Sequence, residues 1–382
     1  MNIANPFTPT FGITPQYFVG RDKILSTFMD GLKVKTADAR RMLLLSGARG
    51  VGKTVALNAL ENTAIDNGWL VISETAIPGL KNRLVMEHLP TLLSELDPKA
   101  QIKRITGVQI PAGLGGVNFH TEQKYVASPS LRSQLTTLCD FLGKHSTGLV
   151  LSIDELHTGA LADLQEIAAT IQHLFREGRP IALIMAGLPE NIDKLLDAPG
   201  ITFLRRAQHE VLGALDYESA RLALELPIQS EGLMWHHDAL QNTLEISRGY
   251  PYLIQALGSC IFDAAMTLQQ RELTLELVKT AAESALTLVG MNVHRPILRS
   301  LSDREQAFLY AMAQDEGFSR VSDIAQRLDV SSNYISQYRI RLMNKHVVYS
   351  PVHGKISFAM PGMREFLRRN KVQVLPMWEE KS

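Results

Sequence analysis

The sequence predicts an α/β protein in which a parallel sheet covered by helices is followed by an all-helical segment and a small C-terminal module. Between residues 41 and 215, short apolar runs alternate with helical patterns, which is typical of parallel strands with helices on both faces. Only helical patterns follow as far as residue 289, and the last module begins near residue 304. We therefore expect three domains, at residues 1–215, 216–296 and 297–382.

The composition is that of an ordinary globular protein. The chain has 382 residues, of which 45% are hydrophobic and 20% charged, and these values exclude disordered, collagen-like and coiled-coil classes. The longest mostly apolar run, residues 181–188, is far shorter than the roughly 20 residues that cross a bilayer. No apolar segment follows Met1, and the two cysteines lie in unrelated segments. We therefore expect a reduced, cytoplasmic protein without membrane attachment.

The first domain opens with an extended, proline-containing lead-in and a helix that Asp22 caps. Strands are predicted at residues 41–46, 69–73, 148–153, 181–186 and 210–215, and helices at 53–66, 80–96, 131–144 and 160–177. Residues 106–119 differ, because polar and apolar residues alternate around a Gly-rich centre, and this pattern predicts a β-hairpin.

The other two domains are predicted to be mainly helical. In the second, helical patterns lie at residues 217–228, 236–247, 251–270 and 274–289. In the third, helices are predicted at residues 304–316, 321–328 and 333–345, and strands at 347–350 and 355–359. The turn between those strands is Pro351-Val352-His353-Gly354.

A phosphate-binding loop lies between the first predicted strand and the helix after it. Residues 47–54 read GARGVGKT and fit the pattern G-x-x-x-x-G-K-[ST]. The glycines let successive backbone N–H groups turn inward, and the start of the next helix adds its positive dipole end. Lys53 is then placed to reach the β- and γ-phosphates, and Thr54 to bind Mg²⁺. The residues predicted to surround the phosphates are Ala48, Arg49, Gly50, Val51, Gly52, Lys53 and Thr54.

Two adjacent carboxylates follow the strand at residues 148–153. Neighbouring side chains of a strand point in different directions, so we expect Asp154 to approach the Mg²⁺ and Glu155 to face the γ-phosphate. Glu155 is then the residue that orients or deprotonates the attacking water. The alternative is an ordinary helix cap, but a phosphate loop precedes this buried strand, and we favour catalysis.

These motifs, together with the helical segment and the C-terminal module, resemble the AAA+ and STAND branches of the P-loop ATPases. The likeness covers nearly the whole chain, is strongest at residues 47–54 and 149–155, and is similar in particular to the origin-recognition and archaeal-type ATPase groups. It implies a P-loop core of the AAA+ type, a helical lid and a C-terminal winged helix. It also implies ATP and ADP as ligands and Mg²⁺ as the metal ion.

Contacts with the base are implied by the resemblance alone. Residues 18–21, FVGR, are similar to the motif that contacts adenine ahead of the phosphate loop, with Val19 and Gly20 as the expected contacts. Residues 247–254, SRGYPYLI, are similar to the lid segment that closes over the nucleotide, and this places Tyr250, Pro251 and Ile254 against the adenine.

Two departures from the family pattern favour slow hydrolysis. Many members carry a basic sensor residue after Gly-x-Pro, where this chain has Tyr252, with Arg248 as the alternative sensor. The strand at residues 181–186 is followed by Ala-Gly-Leu-Pro sequence rather than by an Asn or Thr that positions the lytic water.

The resemblance also implies self-association. Arg205 and Arg206 precede the last predicted strand, where related ATPases place an arginine that enters the neighbouring subunit's site. Such an arginine stabilises transition-state charge and raises the rate by about 10³–10⁵. We favour Arg206 slightly over Arg205, and the alternative for both is an ordinary surface arginine.

The C-terminal module has the residue pattern of a helix-turn-helix. Small Ala325 permits close helix approach and Val330 fills the turn, while Ser331 or Ser332 caps the second helix. The side chains expected on or beside the outward face are Asn333, Tyr334, Gln337, Tyr338, Arg339 and Arg341, with His353 and Lys355 at the tip of the wing. These residue types suit contacts with phosphates and base edges.

Local charge favours DNA as the partner of this module. The chain as a whole is neutral, with 39 Lys/Arg and 39 Asp/Glu, but residues 320–371 hold ten Lys/Arg against three Asp/Glu. A basic surface favours an anionic partner. A winged helix that docks a protein is the alternative. The hairpin at residues 106–119 either extends an edge of the sheet or projects onto DNA or a neighbouring subunit.

The sequence therefore predicts an ATP-binding and ATP-hydrolysing switch that is coupled to DNA through a winged helix. One rival is a signalling or scaffold ATPase of the STAND kind, which holds nucleotide, self-associates and recruits protein partners. A second rival is a DNA-binding regulator that binds nucleotide without hydrolysing it.

Overall fold

The structure, a computed structural model, describes residues 4–10, 12–34, 36–96, 130–352 and 354–370. Its central strands are β1 Met42–Ser46, β2 Leu70–Thr75, β3 Leu149–Leu156, β4 Ile181–Gly187 and β5 Gln208–Val211. They form one parallel sheet in the order β2-β3-β4-β1-β5. The predicted parallel sheet is confirmed, and its strands end towards the phosphate loop and the Asp154-Glu155 pair.

Strand β5 lies earlier than the predicted range 210–215. The apolar residues that suggested a strand there, Leu212 and Leu215, instead pack into the core behind it, because the chain leaves the sheet after Val211. The N–H of Leu212 still donates to the carbonyl of Ser46, at 2.7 Å, and this bond is the last between the two strands.

Helices cover both faces of the sheet. They are α1 Asp22–Lys33, α2 Lys53–Asp66, α3 Leu80–Arg83, α4 Leu89–Leu96, α5 Leu131–Lys144, α6 Leu161–Arg176 and α7 Pro189–Asp197. Along β1 the side chains alternate, since Leu43 and Leu45 belong to one core cluster and Met42 and Leu44 to the other. A parallel sheet buried on both faces needs such continuous apolar runs. A π-helical turn separates α3 from α4 within the helix predicted at 80–96, and α7 was not predicted.

A helical region follows the sheet. Its helices are α8 Tyr217–Ser230, α9 His237–Ser247, α10 Pro251–Thr267, α11 Leu275–Val289 and α12 Arg295–Arg299, with two-residue strands β6 Met234–Trp235 and β7 Glu272–Leu273 and a π-helical turn Gly290–His294. Side-chain caps begin α8 and α11, where Asp216 and Thr274 accept a backbone N–H three residues ahead. Apolar side chains of this region join the core cluster on one face of the sheet.

The C-terminal region contains the predicted helices and strand pair. Its elements are α13 Asp303–Met312, β8 Ser319–Arg320, α14 Val321–Arg327, α15 Ser332–Asn344, β9 Val348–Tyr349, β10 Lys355–Phe358 and α16 Met363–Arg369. Strand β8 was not predicted, and it completes an antiparallel sheet of order β8-β10-β9. Of the two candidate caps for α15, Ser331 is the one whose hydroxyl accepts the N–H of Tyr334.

Some predictions fall outside the described residues, namely the hairpin at 106–119 and His353 in the turn of the strand pair. The domain boundaries near residues 215 and 296 stay predictions. Across the described ranges, no helix combines the length and the apolar character that crossing a membrane requires.

Candidate nucleotide site

The phosphate loop joins the end of β1 to the start of α2. Gly50 and Gly52 adopt left-handed backbone conformations, with φ of 76° and 90°, which glycine reaches without the steric cost of a Cβ atom. Gly47 needs to be glycine for another reason, since a Cβ atom there would collide with the carbonyl of Leu212. The loop therefore curls as the motif predicts, and α2 begins directly at Lys53.

Lys53 lies over the loop with its charge only partly balanced. Its Nζ donates hydrogen bonds to the carbonyl oxygens of Gly47 and Ala48, at 2.9 and 2.8 Å. Burial lowers the pKa of Lys53 to about 8, although the carboxylates of Asp154 and Glu155 act in the opposite direction. A phosphate group in the loop would supply the full negative charge that this ammonium lacks.

Thr54 and Asp154 meet at the base of the loop, as the sequence predicted. The Thr54 hydroxyl donates to Asp154 Oδ2 at 2.6 Å, while Asp154 Oδ1 accepts the N–H of Glu155 at 2.7 Å. A hydroxyl and a carboxylate are hard oxygen ligands of the kind that Mg²⁺ takes alongside phosphate oxygens and water. The donor set therefore fits a Mg²⁺ ion.

Glu155 has a strained backbone. Its φ is 53°, and the register between β3 and β4 shifts between Ile153 and Leu156, so the strand is bulged at this point. A left-handed conformation in a residue other than glycine costs about 1–3 kcal/mol, and such residues are enriched at functional sites. The bulge breaks the alternation of the strand and leaves the Glu155 side chain exposed beside Asp154.

These groups open onto a cavity of about 480 Å³ between the sheet and the helical region. The predicted nucleotide and metal residues on its wall are Val19, Arg49, Gly50, Val51, Gly52, Lys53, Thr54, Asp154, Glu155, Pro251 and Ile254. Gly20, Ala48 and Tyr250 are not among the lining residues. Gly20 packs against Ser219 and Leu215, and Ala48 contributes its carbonyl to Lys53.

The lead-in forms a wall of this cavity that the sequence predicted only at its end, where Phe18, Val19 and Arg21 belong to the segment expected to contact adenine. Its lining residues are Thr8, Thr10, Gly12, Ile13, Pro15, Tyr17, Phe18 and Arg21. Asn5 ties the lead-in to α10 through bonds to Ser259 and Asp263, and Asn58 of α2 donates to the carbonyl of Gly12 at 2.8 Å. Long-range contacts such as these place the segment, so no local pattern reveals it.

Asn191 was also missed. It lies in the first turn of α7, lines the cavity beside Gly187, and donates to the carbonyl of Leu156 at 2.6 Å. The strand β4 itself ends without Asn or Thr, as predicted, but the next helix brings an amide to the same edge of the sheet. Spacing along the sequence could not show this, because the turn after β4 sets the position.

The comparisons agree with this geometry. Residues 17–184 match the family described as the AAA ATPase domain. The fold is that of an AAA-type P-loop ATPase. This confirms the resemblance to AAA-type P-loop ATPases that the motifs at residues 47–54 and 149–155 predicted. Residues 291–367 match a domain of unknown function, DUF8462, and the winged-helix prediction for that region stays a prediction. No curated protein matches the chain.

Two solved structures share the AAA-type fold over almost their whole length. A Walker-type ATPase of Pyrococcus abyssi is 16% identical, with a TM-score of 0.61, and the match covers 91% of this chain and 95% of that one. The ORC2 protein of Aeropyrum pernix, solved as ADPNP and ADP complexes, is 13% identical, with a TM-score of 0.59, and the match covers 94% and 96%. At these identities the likeness shows the fold alone.

The helical region that follows the sheet, which the sequence predicts to be a lid, has no basic residue at the predicted sensor position. Tyr252 stands there, buried, and its backbone N–H donates to the carbonyl of Gly50 at 3.2 Å. Its hydroxyl donates to the carbonyl of Pro9 at 3.2 Å and accepts from the amide of Asn292 at 2.9 Å. The alternative sensor, Arg248, caps the end of α9 with a φ of 47° and does not line the cavity.

Arg205 and Arg206 are both exposed and lie away from the cavity wall. Arg205 is held at the surface by the carbonyl of Leu196, at 3.1 Å, and by Asp197, at 3.4 Å. Arg206 makes no hydrogen bond or ion pair within the described part of the chain. Because Arg205 already has partners within the chain, Arg206 remains the better candidate of the two for a contact with another subunit.

The residues predicted to contact DNA differ in how far they are exposed. Asn333, Gln337 and Arg341 are exposed at successive turns of α15, and Lys355 is exposed on β10. Tyr334 and Arg339 are partly buried.

Tyr338 is buried, with 7% of its surface exposed, so its predicted place on or beside the outward face is wrong. The reason is helical spacing, since residue 338 falls on the inward stripe between Ile335 and Leu342. Its hydroxyl lies 3.2 Å from that of Tyr334, and the Arg341 guanidinium lies over its ring.

Much of the predicted basic charge is neutralised inside the region. Arg327 pairs with Asp315, Lys345 with buried Glu305 at 2.8 Å, and Arg368 with Glu316 at 2.7 Å. All three acids precede residue 320, so the charge count over residues 320–371 did not include them. Residues 303–370 together hold ten Lys/Arg and seven Asp/Glu. The region is therefore much less basic than the window 320–371 suggested.

Proposed function

We propose that the protein binds ATP with Mg²⁺ in this cavity and hydrolyses the ATP to ADP and phosphate. The observation that carries the proposal is the 2.6 Å contact between Thr54 and Asp154 below the phosphate loop, with Glu155 lining the same cavity. The fold shared with an ORC2 protein solved as ADPNP and ADP complexes supports a nucleotide as the ligand.

Each residue has a separate role in this reaction. Lys53 and the loop N–H groups bind the β- and γ-phosphates, while Thr54 and Asp154 hold the Mg²⁺, which offsets charge on the phosphate oxygens. Glu155 accepts a proton from the attacking water. The water oxygen forms its bond to the γ-phosphorus as the bond to the bridging oxygen breaks, and ADP departs with that electron pair.

The direct test is steady-state ATP hydrolysis by the wild type and Glu155→Gln. We expect the substitution to lower the rate by roughly 10²–10⁴, because the amide cannot accept the proton, while ATP binding is retained. Glu166→Gln, an exposed acid paired with Lys81, is the matched control and should leave the rate unchanged. Equal rates in the wild type and Glu155→Gln would favour the non-hydrolysing regulator.

We further propose that the C-terminal region binds DNA as a winged helix and that nucleotide state changes this affinity. The exposed stripe of Asn333, Gln337 and Arg341 on α15, with Lys355 on β10, supports the proposal. Amide and guanidinium groups at successive helical turns suit base edges and phosphates in a groove.

Adding duplex DNA to the hydrolysis assay separates this proposal from the STAND-like rival. Stimulation by DNA that is lost in Glu155→Gln supports the DNA-coupled switch. A low rate that is indifferent to DNA supports a nucleotide-held scaffold that recruits proteins. Several basic side chains of the C-terminal region already pair with acids of the same region, so less positive charge is left for DNA. This observation supports the STAND-like rival.

Self-association through Arg206 is the remaining part of the proposal. An arginine that is exposed and unpaired within the described residues is free to enter a neighbouring site. Mixing Arg206→Ala with Glu155→Gln subunits tests it, since each variant would supply the group that the other lacks. Recovery of hydrolysis in the mixture supports a shared site, and none in any ratio contradicts it.

A further inference from the structure

The lid touches the phosphate loop directly through the first residues of α10. Tyr250 is buried, with 3% of its surface exposed, and its hydroxyl donates a hydrogen bond to the carbonyl of Arg49. Two residues on, the N–H of Tyr252 donates to the carbonyl of Gly50 at 3.2 Å. Two successive peptide units of the loop are thus held by two residues of the lid.

These bonds fix which way the loop N–H groups point. A trans peptide is planar, so its C=O and N–H groups point in opposite directions. Because the Arg49 carbonyl points at Tyr250, the N–H of Gly50 points away from the lid tyrosine. In the same way, the bond from Tyr252 to the Gly50 carbonyl orients the N–H of Val51. Amides of this loop segment are the groups that hold phosphate in the motif.

The contact also depends on the loop sequence. A Cβ atom at Gly50 would collide with the Tyr250 hydroxyl, so glycine is required both for φ and for the approach of the tyrosine. Burial raises the pKa of Tyr250, and the hydroxyl therefore stays protonated and remains a donor. An unpaired carbonyl would be left in the loop if that donor were removed.

We propose that Tyr250 is a positioning residue of the nucleotide site, which aims the loop amides at the phosphates and couples lid position to phosphate binding. The inference rests on the proposed nucleotide function. It gives the lid a way to respond to nucleotide without the basic sensor that Tyr252 replaces. A lid that swings away loses both bonds, so the loop amides lose their fixed orientation, and bound phosphate favours the closed lid in return.

The test compares Tyr250→Phe with the wild type, using ADP and adenosine as ligands in a competition assay with a fluorescent ADP analogue. Tyr250→Phe keeps the ring and removes only the hydroxyl. We expect ADP binding to weaken by about three- to tenfold, since one hydrogen bond to the loop is lost, and adenosine binding to be unchanged. Tyr217→Phe is the control, because its hydroxyl bonds to Gln241 on the outside of the helical region.

The outcomes separate the two proposals. Equal loss of ADP and adenosine affinity would mean that Tyr250 only packs the lid, and would overturn the inference. Unchanged ADP affinity would overturn it as well, with the nucleotide function intact. A wild-type protein that binds neither ligand would overturn the proposed function itself. Circular dichroism and thermal melting establish that the variants are folded.

Discussion

The phosphate-loop end of the sheet and the C-terminal region place their charged side chains in different ways. At the end of the sheet, Lys53, Asp154 and Glu155 line one open cavity, and the charge of Lys53 is not fully balanced. In the C-terminal region, charged groups such as Lys345 and Glu305 pair with each other. Charge in the first region is arranged for a ligand, whereas much of the charge in the second stabilises the fold.

This difference shows why counting charges along a sequence is less informative than a motif. A phosphate loop constrains the backbone, so the positions of Lys53 and Thr54 follow from the motif. A basic segment does not constrain where its charges point, and acids elsewhere in the chain are free to pair with them. The predictions below test whether each region uses its charge in the way that its contacts indicate.

The largest effect is expected at Lys53. Lys53→Met removes the ammonium that would bind the phosphates but keeps an unbranched apolar side chain. We expect the affinity for ADP to fall by about 10²-fold, because charged hydrogen bonds contribute roughly 1.5–3 kcal/mol each. Isothermal titration calorimetry measures the affinity. The control is Lys81→Met, at a half-buried lysine that pairs with Glu166 away from the cavity. Retained affinity would show that the cavity does not hold phosphate at this loop.

A comparable effect, on stability instead of binding, is expected at Glu305. This buried carboxylate accepts hydrogen bonds from Lys345, at 2.8 and 2.9 Å, and from the N–H of Ser302 at 2.8 Å. Glu305→Ala should lower the free energy of unfolding of the C-terminal region by about 2 kcal/mol, because the charged hydrogen bonds from Lys345 and from the N–H of Ser302 are lost. Urea unfolding measures the change, and the exposed Glu365→Ala should show almost none.

Acidification should reduce the difference in stability between the wild type and Glu305→Ala. Burial alone would raise the pKa of Glu305, but the hydrogen bonds from Lys345 and Ser302 outweigh it and the pKa is lowered. A carboxylate with a lowered pKa stabilises the fold above its unfolded value near 4.5 and loses that contribution as the pH falls. A difference that grows on acidification would contradict the pairing.

The candidate nucleotide site was predictable from the sequence where local motifs determine it. The loop, the strand that ends at Asp154 and the meeting of Thr54 with Asp154 all follow from two motifs and a parallel sheet. The lead-in wall and Asn191 were not predictable, because long-range hydrogen bonds and one turn position them. The bulge at Glu155 was missed for a related reason, since regular strand alternation was assumed there.

In the C-terminal region, too, features set by local patterns were predictable and features set by distant contacts were not. The helices α14 and α15 and the strands β9 and β10 were predicted from hydrophobic periodicity and turn residues. Strand β8 has only two residues, too few to show a sequence pattern. It is a strand because it pairs with β10. Tyr338 was placed outside because of its residue type, although its spacing from Ile335 and Leu342 indicated the inward face.

A smaller effect is expected from pH at the nucleotide site. Without ligand the pKa of Lys53 is about 8, whereas bound phosphate keeps the ammonium charged. The affinity for ADP should therefore fall by about tenfold between pH 7 and pH 9.

The stability of the ligand-free protein should instead rise with pH because of Lys53. Between about pH 8 and 10.5 the unfolded chain binds more protons at Lys53 than the folded chain, so this residue makes stability rise with pH. Titrations in Lys53→Met should lose both dependences.

The smallest effect is expected at Arg341, and it tests the C-terminal region most sharply. Arg341 is exposed, whereas Arg327 of the same region pairs with Asp315. If α15 contacts DNA phosphates, Arg341→Ala should weaken DNA binding at all sequences and reduce the slope of log K against log salt by about 1. Arg327→Gln should leave that slope unchanged, because its charge is already neutralised within the fold. Equal slopes in all three proteins would mean that α15 does not contact DNA phosphate through Arg341, and the outward face of the region would then be available to a protein partner, as in the STAND-like rival.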